Sequence, residues 1–189
     1  MNGIQYDTVI LEKQFEAHHG TLSEKELNMR IVKCSSKEML ALWGYESVAR
    51  ASPTARFFCR NIDSGNAVFW ALETNGRIVG ELYVFYHLED PDFADGKSAA
   101  YLCAFRVEKA YRGQGYGSRL MNTVLADLKA GGFCCATVGV GFTEESNIRM
   151  YQHLGFSTTI KKCFSDPCAL DENMQPKPDE GFWLLSKVL

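Results

Sequence analysis

Two short segments hold the residues best placed to do chemistry. The first runs Val107-Glu-Lys-Ala-Tyr-Arg-Gly-Gln-Gly-Tyr-Gly-Ser118. It sets Gly113, Gly115 and Gly117 between an apolar run, 101–107, and a second apolar series. In that series Met121, Val124, Leu125 and Leu128 fall at i, i+3, i+4, i+7, one face of a helix. The glycines therefore sit on a strand-to-helix turn, where residues without a Cβ let several backbone N–H groups converge on one guest. The first amides of a helix lack internal partners and carry partial positive charge, so a phosphate suits them. Arg112 adds a fixed cation beside them. The second segment, 143–156, carries Asn147 and Tyr151. Four residues apart on a short helix, they share a face. A phenol titrates near ~10 and can give a proton to a leaving group at neutral pH.

Three phosphate-binding patterns compete for the glycine turn. A Walker A loop needs a Lys after its last glycine, and none is there. A dinucleotide fingerprint ends in Gly or Ala, but the position is Ser118 counted from Gly113 and Leu120 counted from Gly115. Its acidic residue some twenty positions on is missing in the right register. Arg112, Gly115 and Gly117 satisfy the third pattern, Arg/Gln-x-x-Gly-x-Gly/Ala. This resembles the pyrophosphate-binding motif of the GNAT superfamily of N-acetyltransferases, which use acetyl-coenzyme A. Asn147, Tyr151 and Gly155-Phe156 resemble the second sequence block of the same superfamily, one helix and one strand further on. The resemblance covers roughly residues 29–189.

The resemblance implies an α/β (α+β) fold of the GNAT acyl-CoA N-acyltransferase type, a mixed, twisted sheet flanked by helices. It implies acetyl-CoA as cosubstrate and no metal. The exposed backbone at Phe105, Arg106 and Val107 would pair with the pantetheine arm. The amides of Gly113, Gln114, Gly115, Tyr116, Gly117 and Ser118 would cradle the pyrophosphate, with Arg112 beside them. Asn147 would contact the pantetheine arm, and Tyr151 would be the general acid. Attack would be direct, within a ternary complex. The plainer alternative for Tyr151 is a core tyrosine with a satisfied hydroxyl.

The base is less determined. Glu81 shares a strand face with Tyr83 and Phe85. A carboxylate among aromatics can have a raised pKa and act as base; on a half-exposed strand it is a surface residue. Glu73 and His87 are further candidates. The acidic loop Glu89-Asp-Pro-Asp-Phe-Ala-Asp95 is expected near the pocket mouth, as a lure for cations or as a solvated loop. Phe69, Trp70, Tyr83, Phe85 and Tyr86 line an acceptor cleft or fill the core. The acceptor is an amine-bearing small molecule or a protein amino group. A non-catalytic acyl-CoA-binding module is the rival reading, and a dinucleotide-binding oxidoreductase a distant one.

The elements that must position these residues follow from periodicity and punctuation. Residues 1–28 read as an extension with one apolar patch at 9–11, and 29–189 as one domain. A strand spans 29–34, a helix capped by Ser35 or Ser36 runs to Trp43, and a second helix spans 54–62. The stretch 67–86 reads as a hairpin about Asn75-Gly76, a type I′ signature. A polar loop, 88–98, precedes a strand at 100–107. The helix after the glycine turn ends at Ala130, before Gly131-Gly132. A strand at 133–140 and a helix at 147–154 follow. That helix is expected to be capped by Thr143, with Glu144 and Glu145 in its first turn. Strands at 157–162 and 182–188 flank a proline-containing loop, 165–181.

The 189 residues suffice for one sizeable core. A net charge of -3 gives no general affinity for nucleic acid. No apolar run approaches a membrane span and no signal pattern opens the chain. Seven cysteines without metal-site spacing read as reduced, mostly buried thiols of a cytoplasmic protein. Cys163, Cys168 and His153 fit no common zinc pattern. A homodimer stays open.

Overall fold

The computed structural model describes residues 29–189. The expected extension, 1–28, lies outside the described residues. In chain order the elements are β1 (Met29–Cys34), α1 (Ser36–Leu42), α2 (Pro53–Asp63), β2 (Ala67–Thr74), β3 (Arg77–Phe85) and β4 (Ala99–Val107), then α3 (Tyr116–Ala130), β5 (Cys135–Gly141), α4 (Glu145–His153), β6 (Thr158–Leu170) and β7 (Pro176–Val188). The order of helices and strands is the one read from the sequence. The strands form one seven-stranded sheet, β1-β2-β3-β4-β5-β7-β6. Every neighbouring pair is antiparallel except β4 and β5.

Local chemistry explains the early elements. Ser35 accepts from the Glu38 N–H, and the Glu38 carboxylate reaches back to the Ser35 N–H, a reciprocal cap for α1. Ser52 caps α2, whose first residue is Pro53, where a missing N–H costs nothing. Asn75 and Gly76 both have positive φ, 50° and 74°, as a type I′ turn requires. Thr74 faces Arg77 across that turn.

Helices cover both faces of the sheet. Leu120, Met121, Val124, Leu125 and Leu128 of α3 pack in one cluster with Leu72, Leu82, Leu102 and Val138. Met39 of α1 and Phe58 of α2 pack in a second with Phe69, Tyr83 and Phe85. From Leu82 to Phe85, period-two alternation along β3 divides its side chains between the two clusters.

The C-terminal hairpin corrects the expected loop at 165–181. β6 runs on to Leu170 and β7 begins at Pro176. Pro167 escaped a strand reading because it lies where the β6–β7 register shifts, between Asp166 and Leu170. Pro176 and Pro178 precede the stretch of β7 that pairs with β5, which starts at Phe182. A proline is tolerated there because one side of the strand is unpaired. Thr143 is also corrected. Glu144 occupies the N-cap position of α4, and no side chain caps it.

The acidic loop is structural. Asp90 and Asp92 bind the Lys161 ammonium at 2.6 and 2.8 Å. Asp95 accepts from the N–H groups of Lys97, Ser98 and Ala99 and from the Ser98 hydroxyl, which hold its carboxyl far below the usual range. Phe93 and Ala94 are buried between them.

Candidate functional site

The site begins where the sheet parts. β4 and β5 pair from Ala99↔Cys135 to Leu102↔Val138 and no further. Beyond that point β4 stays with β3, and β5 stays with β7. The cause lies in β4. From Tyr83↔Cys103 to Glu81↔Arg106, β3 advances two residues and β4 three. The extra residue is a bulge, with Ala104 held at φ 48°. A bulge bends its strand, and here it turns β4 away from β5. Residues 103–107 therefore present backbone to a cleft instead of to a neighbouring strand.

The glycine turn lies between β4 and α3. Gly113 and Gly115 have φ of 72° and 80°, and Gly115 is the N-cap of α3. No heavy atom lies within 4 Å of a Cβ built on either. Gly117 differs: its Cβ would meet the Phe105 ring, so it sets how closely α3 approaches β4. Tyr116 is buried and Gln114 is exposed. Ser118 is half-buried. Arg112 donates from Nε to the Val107 carbonyl at 2.7 Å, which ties the guanidinium to the end of β4.

A cavity of about 460 Å³ fills the cleft. Phe105 and Arg106 of β4, Gly139 of β5 and Tyr151 of α4 are in its wall. Tyr151 is buried at 5% exposure and stacks edge-on with Phe156. Its hydroxyl makes no hydrogen bond among the described residues. Burial, with the charge of Glu144 nearby, pushes this phenol well above its ordinary value. It is therefore protonated at every physiological pH. Asn147, one turn earlier on α4, is buried, and its Oδ1 has no hydrogen-bond partner among the described residues.

Glu81 reaches the same cavity, and it is buried where a surface position was the plainer expectation. Its Oε2 accepts from Trp43 Nε1 at 3.0 Å and from the Tyr83 hydroxyl at 2.8 Å. Its Oε1 lies 2.7 Å from Arg106 Nε. The Nε–H is not aligned with that oxygen, so the contact is ionic without being a hydrogen bond. Glu73 and His87 are elsewhere. Glu73 pairs with Arg30 at the far side of the sheet, and His87 is exposed beside Asp95. The aromatics also divide differently. Phe69, Trp70, Tyr83 and Phe85 are core residues. Tyr86 stacks on Phe133. Trp43, Phe58 and Tyr101 line the cavity instead.

Sequence reasoning missed Asp166. It lies on β6, in the stretch read as loop, and it lines the cavity. It is half-buried. Burial, opposed by the N–H of Cys168 and reinforced by the charge of Asp179, raises its carboxyl to about 6. Asp-Pro-Cys reads as a turn in any pattern analysis, so no periodicity signalled it.

The comparisons agree with this architecture. The model of the acetyltransferase (GNAT) family matches residues 36–156, and the chain belongs to that family. N-acetyltransferase 8 of Rattus norvegicus is 29% identical over 91 residues, 48% of this chain and 40% of that protein. The matched part spans about two fifths of the length of such curated relatives. Among solved structures, IAA acetyltransferase from Bacillus cereus superposes with a TM-score of 0.58 at 17% identity, covering 85% of this chain and 99% of that one. A GNAT family acetyltransferase from Elizabethkingia anophelis with acetyl-CoA bound gives 0.56 at 17% identity, covering 86% and 99%. These structural likenesses establish the GNAT fold.

Proposed function

We propose that this protein transfers the acetyl group of acetyl-CoA to a primary amine by direct attack in a ternary complex. The observation that carries the reading is the parting of β4 from β5 beside the glycine turn, with the Tyr151 hydroxyl unpartnered in the same cleft. The edge at Phe105, Arg106 and Val107 can take an extended amide chain as an added strand. Asn147 Oδ1 needs a donor, since an unpaired buried acceptor costs about 1–3 kcal/mol. The N–H groups of a pantetheine arm meet both needs. The open turn at Gly113, Gln114 and Gly115, continued by Tyr116, Gly117 and Ser118, suits a pyrophosphate, with Arg112 as the adjacent cation. A bound coenzyme supplies the activated acetyl group.

The chain's residues do the rest. A backbone N–H of the bulged strand stabilises charge on the thioester oxygen. Tyr151 gives its proton to the departing sulfur, and its raised affinity for that proton keeps it an acid. Glu81, the candidate base of the sequence reading, ties Trp43, Tyr83 and Arg106 together at the cavity wall. The acceptor is an amine-bearing small molecule or a protein amino group. The seven free thiols suit a reducing compartment, and a cytoplasmic site of action is proposed on that ground.

The test is thiol release from acetyl-CoA against a panel of amines, with parallel measurement of coenzyme binding. Turnover of any amine supports the transferase. Binding with no turnover across small amines and peptide amino termini favours the non-catalytic acyl-CoA-binding module.

A further inference from the structure

Three carboxylates line the central cavity: Glu81, Glu144 and Asp166. They differ in what already holds them. Glu81 has two hydrogen-bond donors and the Arg106 cation. Both of its oxygens are thus already engaged. Glu144 accepts the Gly141 N–H at 3.0 Å and so clamps the end of β5. Asp166 accepts one backbone N–H, from Cys168 at 2.8 Å, and among the described residues no cation makes an ion pair with it. Lys177, its cross-strand partner on β7, is exposed and forms no ion pair with it. One carboxyl oxygen of Asp166 is thus free to receive a proton.

Its position is equally specific. A second cavity, of about 480 Å³, abuts the first and shares Tyr101, Gly139, Glu144, Asp166 and Ala169 with it. Its far wall includes Asp179 and Glu180 of β7. Asp166 therefore stands at the junction between the cleft that holds Tyr151 and an acidic antechamber that no cation lines among the described residues. A protonated amine entering through that antechamber meets Asp166 before it reaches the bulged strand.

Resting on the transferase reading, we propose that Asp166 receives the acceptor ammonium and takes its first proton. The sequence of events balances. R–NH3+ gives a proton to the Asp166 carboxylate, leaving R–NH2 and a carboxylic acid, which later releases that proton to solvent. The nitrogen lone pair forms the C–N bond to the thioester carbon. As the C–S bond breaks, sulfur takes the Tyr151 proton, and the nitrogen's surplus proton returns to the phenolate. The sum is R–NH3+ plus acetyl-CoA giving the N-acetyl amine, CoA–SH and H+.

Energetics favour this carboxylate. A free alkyl ammonium titrates near ~10. Burial lowers an ammonium and raises a carboxyl, so both shifts in this cavity narrow the gap between donor and acceptor. The groups facing Asp166 support the direction. Asp179 on β7 reinforces its hold on a proton. Tyr101 and Cys103 on β4, and Cys163 and Cys168 on β6, all feel its charge and are themselves raised, so they stay neutral.

The experiment measures kcat/KM across pH for the wild type, Asp166→Asn, Asp166→Glu and Glu81→Gln with the best amine of the panel. Asn keeps an oxygen for the Cys168 N–H, and melting curves check that it folds. The wild type should show an acidic limb at about 6. In Asp166→Asn that limb should vanish, with activity down ~10²-fold near neutrality and recovering as pH approaches the amine's own pKa. Asp166→Glu should restore a limb, and Glu81→Gln should keep the limb in place. An unchanged profile in Asp166→Asn overturns the proposal, as does loss of the limb in Glu81→Gln alone. If the wild type turns over no amine, the transferase reading itself has failed. Carboxyl 13C NMR, assigned by the Asp166→Asn difference, then decides: a midpoint near ~4 overturns the proton-holding role.

Discussion

A Cβ built on Gly117 would sit 3.2 Å from Cζ of Phe105. The third glycine of the turn therefore serves packing between α3 and β4, while the first two serve conformation. Gly117→Ala should push α3 off the bulged strand and cost about 1–3 kcal/mol. Gly113→Ala has open space, but positive φ costs it roughly 1–2 kcal/mol. Chemical denaturation of both gives the energies. Only the Gly117 variant should also perturb the Phe105 resonances beyond the turn.

Acetyl-CoA should raise the melting temperature in a concentration-dependent way, because it binds the folded chain alone. NAD and ATP at equal concentrations should do little. Gly115→Val should abolish the rise, since a β-branched residue at φ 80° is strained and its side chain would crowd a bound pyrophosphate. Equal stabilisation by NAD would contradict the coenzyme assignment.

Tyr151→Phe should lower kcat by ~10²-fold while leaving acetyl-CoA affinity and stability near wild type. The hydroxyl makes no hydrogen bond among the described residues and the Phe156 contact is retained. Steady-state kinetics beside a melting curve checks both parts. Near-wild-type turnover would make Tyr151 a wall residue.

Arg112→Glu should weaken coenzyme A strongly and a pantetheine fragment without phosphates only slightly. It should also cost about 1 kcal/mol of stability, because the bond from Nε to the Val107 carbonyl is lost. Arg112→Lys should recover part of the affinity and none of the stability. Calorimetric titration with both ligands separates the two effects. An equal loss for both would mean that the turn itself had collapsed.

Asp166 should make stability fall with rising pH. Its carboxyl titrates at about 6 in the folded chain against an ordinary 3.8. The folded state thus holds the proton more tightly than the unfolded state. Its stabilising contribution is complete below 3.8 and is lost as pH rises through about 6. Asp166→Asn should therefore melt higher than wild type at about pH 8, with the difference gone at about pH 3.5. Scanning calorimetry across that window is the measurement.

Much of this was legible in the chain because local signals and tertiary context agree. Asn75-Gly76 demanded positive φ and received it. The apolar face of α3 and the Gly155 stop after α4, at φ 93°, fell where spacing put them. Asn147 and Tyr151, four apart, are both buried on one helix, and Tyr151 lines the cavity. Other features depend on partners distant in sequence. Nothing in the composition of 99–107 marks Ala104 as the bulge, which is set by the register with β3. Asp166 is brought to the cavity by a hairpin whose pairing no local pattern signals, and its two neighbouring register shifts erase alternation. Glu81 looked like a strand surface residue because Trp43 and Arg106, its partners, lie 38 residues before and 25 after it.

Among the described residues, the four residue pairs that join β4 to β5 are the only strand-to-strand weld between the two halves of the sheet. Strands β1 to β4 form a meander of near neighbours, whereas β5 to β7 reach them through a parallel crossover. Such non-local pairing is slow to form. The weld should close last in folding and be the first place the empty protein breathes. A ligand laid in the cleft would act as a splice across the fracture line. Tightening at Ala99–Leu102 on binding, seen as slowed amide exchange, would then report occupancy from the opposite end of the sheet's seam.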